Sequence, residues 1–355
     1  MSRLRILMRG VAALTAATLL ACTGTDKYVA FSGYAQGGTY TVKANLKGVR
    51  TAPGVIAAQI DTLLVSIDRS ISGYNKGSLL SRLNAGERVV PDEILLDIYE
   101  RSYDFYLRSQ GALDVSGGPL YDIWGFGFTG QETPSEDAVR DALACSGMGR
   151  LKQDIRSALR PDGSLAWEDL LVDSADTGRV TLNFNAIAQG YSCDLVAGYL
   201  KNAGVEDMLV DIGEIYCCGR NPSRVPWGIG IDTPEDGNQT PGADMQGLWH
   251  SDPEGPGQGV VTSGNYRKFY ILDGHKYAHT IDPRTGRPVQ HNLLSATVVA
   301  PDATTADAVA TWCMVLGLDD ALRMLTDEHL EACLIYDSDE GMKIASTPGF
   351  EIESF

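Results

Sequence analysis

An aspartate and a threonine four positions apart form the clearest candidate metal site in this sequence. Asp307 and Thr311 lie in the segment Thr-Thr-Ala-Asp-Ala-Val-Ala-Thr over 304–311, which favours a helix. Residues i and i+4 share one face of a helix, so the carboxylate and the hydroxyl can hold one ion. Both are hard oxygen ligands suited to Mg²⁺, and so few protein ligands leave positions for phosphate oxygens and water. The alternative is an acidic residue favoured by the helix dipole, followed by a packed threonine.

A second candidate is the segment Asn-Phe-Asn-Ala-Ile-Ala-Gln-Gly-Tyr over 183–191. Its pattern predicts a strand that turns into a helix through small residues. Such a turn exposes backbone groups that can meet a phosphate or a metal. A plain strand–helix junction remains the alternative.

His279 precedes the turn sequence Asp-Pro-Arg-Thr-Gly over 282–286. A histidine can serve as a general base near neutral pH. A lone histidine can equally be structural, and the sequence leaves both readings open.

The segment 125–130 matches the dinucleotide pattern GxGxxG, but its surroundings do not fit. That motif needs a strand before it and a helix that begins at the third glycine. Here a turn-rich aromatic segment precedes it, and Gln-Glu-Thr-Pro follows it. The pattern therefore does not predict a Rossmann fold.

The N-terminus has the features of a lipoprotein signal peptide. Arg3, Arg5 and Arg9 make a basic start, and the run 10–20 is small and apolar but too short to cross a bilayer. Leu-Leu-Ala precedes Cys22, which resembles the bacterial lipobox, so Cys22 is the predicted lipidation site. We expect a signal peptide over 1–21, a lipid-anchored tether over 22–30 and a catalytic domain over 31–355, exported to the periplasmic side of a bacterial membrane.

The chain is strongly acidic, with a formal net charge of −17. Removal of the three leader arginines, Arg3, Arg5 and Arg9, takes the charge from −17 to −20. Such a protein is a poor partner for nucleic acid, and it repels polyanionic ligands unless a cation compensates. The 7 cysteines show no zinc spacing, and small core residues or disulfides are both compatible with those after Cys22.

The remaining sequence predicts an α+β fold with mixed or antiparallel sheets and packed helices, because strands and helices do not alternate as in a doubly wound sheet. We predict a loop over 232–258, where glycine, proline and aspartate are frequent. Helices are predicted over 53–71, 91–107, 134–144, 188–203, 304–316 and 319–326. Strands are predicted over 34–45, 178–184, 207–215, 227–231, 259–263, 267–272, 295–299, 331–336 and 341–345.

Taken together, these segments resemble the ApbE-like flavin transferases, the FAD:protein FMN transferase family. The resemblance covers nearly the whole chain after the leader, and eight segments match in order. They are 37–42, 72–74 with 78–84, 111–120, 124–127, 186–191 with Asp194, 262–267, 279–286, and 306–308 with Thr311.

The resemblance implies a Mg²⁺-dependent enzyme that takes FAD as its substrate. Asp307, Thr311 and the main-chain carbonyl of Ala188 would hold Mg²⁺ at the FAD pyrophosphate, with Asp307 and His279 as the catalytic residues. His279 would be a proton acceptor. The implied FAD-binding residues are Gln36, Tyr74, Ala112, Leu113, Asp114, Asn185, Tyr191, His279 and Ile281. Among these, Tyr74 would contact the flavin ring and Asp114 would accept polar hydrogens, while Gln36 stands where the family often has methionine.

The implied reaction transfers FMN from FAD to a Ser or Thr hydroxyl of an exported acceptor protein, of the kind found in redox complexes, and releases AMP. Two alternatives remain at this stage. Water could replace the hydroxyl, which gives a Mg²⁺-dependent FAD pyrophosphatase that forms FMN and AMP. The chain could also be a non-catalytic FAD-binding lipoprotein.

Overall fold

The computed structural model describes residues 27–126, 133–173, 175, 180–236, 238, 240, 242–266, 269–272 and 275–354. The predicted signal peptide and Cys22 lie outside the described residues. Within the described part of the chain, no helix has the length and apolar character that a membrane crossing requires.

Most helices begin where the sequence predicts them, because their apolar residues recur at helical spacing. Three short helices, Leu79–Asn84, Gly118–Ile123 and Trp167–Leu170, were not predicted. The helices are α1 (Pro53–Ile71), α2 (Leu79–Asn84), α3 (Glu93–Arg108), α4 (Gly118–Ile123), α5 (Glu136–Ala144), α6 (Trp167–Leu170), α7 (Ala188–Asn202), α8 (Ala303–Leu316) and α9 (Leu318–Asp327).

The strands form one large sheet and three small hairpins. They are β1 (Tyr28–Ala35), β2 (Gly38–Asn45), β3 (Met208–Asp211), β4 (Ile215–Cys218), β5 (Gly228–Asp232), β6 (Met245–His250), β7 (Gln258–Gly264), β8 (Phe269–Leu272), β9 (His275–Ala278), β10 (Ile281–Asp282), β11 (Arg287–Pro288), β12 (Leu293–Ala300), β13 (Glu331–Tyr336) and β14 (Lys343–Ser346).

The large sheet has the order β1-β2-β3-β4-β7-β12-β13-β14, and every neighbouring pair is antiparallel. Strands β5–β6, β8–β9 and β10–β11 pair separately as antiparallel hairpins. This arrangement confirms the predicted α+β class, and the antiparallel sheet of the described residues is not a Rossmann sheet; the GxGxxG match over 125–130 lies mostly outside the described residues.

Side chains alternate across the sheet and serve two cores. Val261 and Val298 pair across β7 and β12 and pack towards α8. Their neighbours Val260 and Val299 face the opposite side, where Trp249 of the β5–β6 hairpin packs. The helices therefore cover one face of the sheet, and this hairpin covers part of the other.

Asp207 ties three segments together at one end of the sheet. Its carboxylate accepts hydrogen bonds from Asn45 Nδ2 at 3.0 Å, Arg220 N at 2.9 Å and Arg224 Nη1 at 2.7 Å. Tyr28, at the start of β1, donates its hydroxyl to the Arg220 carbonyl at 2.6 Å. The start of β1 is thus held against the segment that follows β4.

Two predicted strands are in fact hairpins, because a turn residue interrupts each one. The prediction over 34–45 is divided at Gln36 and Gly37, which have φ of +51° and +82° and form the two-residue turn between β1 and β2. The prediction over 207–215 is divided at Gly213, with φ of +91°, so that β3 and β4 pair.

Two further predictions were wrong. The segment 232–258 is not a continuous loop, because β6 crosses it and pairs with β5. In the described part of the predicted strand 178–184, Thr181 makes a single parallel bridge to Gly117 and no strand forms. Its hydrogen bonds go instead to loop and side-chain groups, such as Asn84 on Leu182.

The six cysteines from Cys145 onward are all free thiols. Cys193, Cys217, Cys313 and Cys333 are buried, as small apolar core residues are.

Candidate active site

The candidate site lies where the first turn of α7 meets α8. Gly190 permits this contact: a Cβ there would lie 2.2 Å from the Ala303 carbonyl oxygen and 2.9 Å from Asp307 Cβ. The Gly190 amide donates a hydrogen bond to Asp307 Oδ2 at 3.0 Å. The close approach of the two helices therefore brings the backbone around Ala188 next to the carboxylate of Asp307.

Asp307 is a buried carboxylate, only 5% exposed. Burial raises the pKa of Asp307 well above its usual value; the Gly190 N–H opposes this shift, and the negative charge of Asp194 adds to it. Among the described residues, no lysine or arginine forms an ion pair with Asp307. A desolvated carboxylate in such surroundings favours a bound cation.

Asp194 of α7 holds the N-terminus of α8 in place. It accepts hydrogen bonds from the backbone amides of Ala303 and Thr304, each at 2.8 Å, and from Thr304 Oγ1 at 2.5 Å. Asp302 caps the same helix by accepting from Thr305 N at 2.8 Å. Two carboxylates therefore satisfy the first amides of α8 and fix its position against α7.

Thr311 lies one turn after Asp307 on α8, as the spacing predicts, and is half-buried. Its hydroxyl lies 3.4 Å from Ser263 Oγ of β7. The face of α8 that carries Asp307 and Thr311 thus lies between α7 and β7.

Gln36 reaches the first turn of α7 from the β1–β2 turn. Its Nε2 donates to Ser192 Oγ, and Ser192 Oγ donates to the Ala188 carbonyl oxygen at 2.7 Å. Gln36 and Ala188, which the sequence places far apart, are therefore linked through Ser192.

These donors fit a magnesium ion by their chemistry. Asp307 would supply one carboxylate and Thr311 and Ala188 would supply neutral oxygens, which suits Mg²⁺ because this ion takes one or two carboxylates together with water and substrate phosphates. Among the described residues, no three His, Cys, Asp or Glu side chains cluster as a metal site. A cation at Asp307 therefore needs further ligands besides this carboxylate. Oxygen atoms of a bound substrate could supply some of them.

His279 belongs to a cluster of rings beside the Asp-Pro-Arg-Thr-Gly turn. The His279 ring lies 6.4 Å from that of Phe126, which lies 5.2 Å from Tyr270. Tyr270 stacks on Tyr277 at 5.3 Å, and Tyr277 stacks on Trp124 at 5.8 Å. The turn itself is tied to this cluster, because Trp124 Nε1 donates to the Gly286 carbonyl at 2.8 Å.

A family model and curated relatives identify the group of proteins to which this architecture belongs. The model of the ApbE family matches residues 36–334. The chain belongs to the ApbE family. A FAD:protein FMN transferase of Haemophilus influenzae is 31% identical over 349 residues, covering 96% of each chain. An enzyme of the same name from Escherichia coli K12 is 33% identical over 302 residues, covering 82% of this chain and 80% of the relative.

Solved structures of ApbE proteins share the fold. The flavin transferase ApbE of Vibrio cholerae matches with a TM-score of 0.74 and 29% identity, over 91% of this chain and 98% of that one. The apo flavinyl transferase ApbE of Pseudomonas stutzeri matches with a TM-score of 0.76 and 31% identity, over 91% and 95%. These matches confirm the predicted family, fold and class of enzyme.

Some residues that the ApbE resemblance assigns to FAD are on the surface. Tyr74 lies in the loop between α1 and α2 and is 71% exposed. Asn185 is exposed just before α7, and its amide donates to Asn183 Oδ1 at 2.9 Å. Both side chains are open to a ligand from solvent.

Other assigned residues have contacts within the protein. Asp114 accepts from Ser116 N at 2.8 Å and Met148 N at 3.2 Å, which fixes its carboxylate in the loop after α3. Tyr191 is buried, its hydroxyl hydrogen-bonds to Asp97, and Arg101 lies over its ring at 5.9 Å.

The other assigned positions are apolar and buried. Ala112 packs with the α8 and β12 core, Leu113 with the larger core under α1, and Ile281 with Leu120 and Trp124. The roles that the resemblance assigns to these three residues stay predictions.

A cavity of about 530 Å³ lies beside the Asp-Pro-Arg-Thr-Gly turn. Trp124, Tyr277, Asp282 and His291 contribute to its lining. Asp307 and Thr311 are not among the described residues that line it. Helix α8 contributes Val315 to the lining.

Sequence reasoning gave no role to three contributors to the site, although Gly190 and Asp194 stand in a segment that resembles the ApbE family. Gly190 and Asp194 hydrogen-bond to α8, and Ser192 hydrogen-bonds to Gln36 and to the Ala188 carbonyl. The available signal was the spacing of Gly190 and Asp194, which places both on one face of α7. The sequence does not show which helix meets that face.

Proposed function

We propose that this chain transfers FMN from FAD to a Ser or Thr hydroxyl of an exported acceptor protein in a Mg²⁺-dependent reaction. The observation that carries the metal part is the buried Asp307 carboxylate, which receives the Gly190 amide and has no Lys or Arg partner among the described residues. The names of the curated relatives support the flavin substrate and the transfer to protein.

In the proposed reaction the acceptor oxygen forms a bond to the FMN phosphorus. The bond between that phosphorus and the bridging oxygen breaks, and AMP leaves with the electron pair. The acceptor hydroxyl loses its proton, and the product is a phosphoester of FMN with the protein. Charge accumulates on the transferring phosphoryl group and on the departing phosphate, so a catalyst must stabilise negative charge.

Asp307, Thr311 and the Ala188 carbonyl would hold Mg²⁺, which supplies neutralisation of the pyrophosphate charge when bound. The Gly190 amide orients the Asp307 carboxylate, and Asp194 keeps α8 in position. The net negative charge of the chain repels the anionic FAD, so binding of FAD needs a positive charge at the site.

His279 is the proposed acceptor of the hydroxyl proton. It is half-buried and lies at the edge of the Phe126 ring, at the start of the turn that Trp124 holds. Tyr74, exposed in its loop, is the proposed contact for the flavin ring, and the remaining assigned residues would line the FAD site.

One assay tests the proposal against both alternatives. Purified protein is incubated with FAD, Mg²⁺ and an acceptor domain that contains a Ser/Thr-Gly-Ala-Thr-like segment, and the products are followed by in-gel flavin fluorescence and by chromatography. Fluorescence on the acceptor together with free AMP supports transfer. FMN and AMP without labelling would identify a pyrophosphatase, and bound intact FAD would leave only a binding protein.

Export and a lipid anchor at Cys22 complete the proposal. The basic start, the short apolar run and the Leu-Leu-Ala-Cys sequence support this location. An acceptor on the periplasmic side of the membrane would then be within reach of the enzyme, with no nucleic acid involved.

A further inference from the structure

Gln36 occupies a backbone position that its residue type seldom adopts. It is the first central residue of the β1–β2 turn, with φ of +51°. Glycine, asparagine and aspartate are the usual residues in this left-handed region. A glutamine held here needs a side-chain contact that offsets the strain, and its contact is the donation from Nε2 to Ser192 Oγ.

Ser192 connects Gln36 to the carbonyl that the proposed function assigns to the metal. Ser192 is fully buried, and its hydroxyl donates to the Ala188 carbonyl oxygen at 2.7 Å. A hydroxyl has a single proton to donate. While the Ser192 hydroxyl donates its hydrogen bond to the Ala188 carbonyl, Ser192 Oγ can only accept a hydrogen bond from Gln36. The Gln36 amide is therefore oriented with Nε2 towards Ser192.

Among the described residues, no donor reaches the oxygen of the Gln36 amide. This oxygen, Oε1, is buried. An unpaired buried acceptor is costly, so its presence in a native structure requires a physical reason. A half-turn of the amide exchanges Oε1 with Nε2 and places Oε1 beside Ser192 Oγ.

We propose that Gln36 and Ser192 form a hydrogen-bond switch that covers and uncovers the Ala188 carbonyl. In the metal-free protein the Ser192 hydroxyl covers this oxygen. With a divalent cation at this oxygen, the Ser192 hydroxyl would turn its proton away from the positive charge and donate it to Oε1 of the rotated Gln36 amide. Gln36 is then a positioning residue for the metal site, and this inference rests on the metal site of the proposed function.

The test measures binding of Mn²⁺ alone, without FAD, by the electron paramagnetic resonance signal of the free ion. Gln36→Met removes the acceptor that receives the Ser192 proton, so the Kd for Mn²⁺ should rise about threefold to tenfold, the effect of one hydrogen bond. Gln36→Glu keeps an oxygen facing Ser192 and should bind at least as tightly as the wild type.

Ser192→Ala provides the decisive background. It removes the hydroxyl that covers Ala188, so Mn²⁺ should bind as tightly as in the wild type or more tightly. In this background Gln36→Met should cause no further loss of Mn²⁺ affinity, because no Ser192 hydroxyl remains to cover the Ala188 carbonyl. Circular dichroism and melting temperature confirm that each variant is folded.

An unchanged Kd in Gln36→Met would overturn the switch, and so would an equal loss in the Ser192→Ala background. A weaker Kd in Gln36→Glu would overturn it as well. Asp307→Asn separates this failure from that of the metal site itself. If Asp307→Asn keeps wild-type Mn²⁺ affinity, the metal assignment fails; if it loses binding while Gln36→Met does not, only the switch fails.

Discussion

Asp307 is held in an environment that opposes its charge. The carboxylate is buried, it accepts the Gly190 amide, and the nearby Asp194 adds repulsion. Because its pKa is raised in the folded state, the protein holds this proton more tightly than the unfolded chain does. Stability of the metal-free protein therefore falls as the pH rises above the unfolded pKa of about 3.8 towards the raised pKa.

Asp307→Asn should accordingly stabilise the metal-free protein. The amide oxygen can still accept from Gly190, while the buried charge is gone, so the free energy of unfolding at pH 8 should increase by at least ~1 kcal/mol. The gain should shrink towards pH 5. Urea unfolding in EDTA at both pH values measures this.

Added Mg²⁺ should stabilise the wild type and leave Asp307→Asn unchanged, since only the wild type offers a carboxylate to the ion. The variant should also lose flavin transfer. A variant that is less stable than the wild type at both pH values would contradict the account of Asp307.

For individual residues, the sequence predicted the Asp307–Thr311 pair but not the contacts that α7 makes with it. Asp307 and Thr311 follow from i,i+4 spacing, which is a local property of one helix. The Gly190 amide and the Asp194 carboxylate reach α8 only after α7 has packed against it, and no local pattern contains that contact.

Among the structural elements, the contact between α7 and α8 depends on Gly190. A methyl group there would lie 2.2 Å from the Ala303 carbonyl oxygen, which is backbone and cannot move alone. Gly190→Ala should therefore destabilise the protein by about 3 kcal/mol and weaken metal binding, because α7 must shift away from Asp307.

Gly198→Ala is the matched control on the same helix. A Cβ at Gly198 has no neighbour within 4 Å, so alanine should stabilise the protein by roughly 1 kcal/mol through helix propensity. Thermal unfolding and Mn²⁺ binding of both variants give the comparison. Equal effects of the two substitutions would show that the close approach at Gly190 does not matter.

The connection through Asp207 should depend on pH with the opposite sign to Asp307. Partial burial pushes the pKa of Asp207 upward, but hydrogen bonds from Arg220 N–H, Asn45 and Arg224 outweigh it and lower the pKa below 3.8. The stabilisation is therefore present above that pH and is lost as the pH falls through the lowered pKa.

Asp207→Asn should cost about 2 kcal/mol at pH 7, because its charged hydrogen bonds to β2 and to the segment that follows β4 are weakened. The difference from the wild type should disappear on acidification below pH 3.8. Urea unfolding across this range measures it, and a difference that persists in acid would point to packing rather than charge.

Helices were easier to predict than strand boundaries. The α1 prediction over 53–71 has the observed bounds, because a long amphipathic period is explicit in the sequence. The turns at Gln36 and Gly213 were missed, since a two-residue turn leaves the alternation of β-forming residues almost unbroken. Strand β6 was missed because its partner β5, rather than its own composition, stabilises it.

For the whole molecule, the predicted N-terminal leader and lipid anchor are the features from which we expect a location. Cys22 lies outside the described residues, so its lipidation stays a prediction. Cys22→Ser should abolish labelling by an alkyne fatty acid and move the protein from the detergent-extracted membrane fraction to the soluble fraction.

Cys218→Ser is the control for the anchor, because Cys218 is a part-exposed thiol elsewhere in the chain. This variant should keep the label and the membrane location. Labelling that survives Cys22→Ser, or a wild-type protein that never acquires a label, would contradict the anchor.

The length of the β1–β2 hairpin also limits how far from the membrane the proposed reaction can take place. Strand β1 has 8 residues, so its two ends are about 24 Å apart, and Gln36 lies at the end remote from Tyr28. With an anchor at Cys22, the segment to Tyr28 can add at most about 20 Å. Gln36 would then lie within roughly 45 Å of the lipid surface, and the α7–α8 site that it contacts would lie at a height of that order. Lengthening the tether would extend that limit and change which membrane-bound acceptors receive the flavin.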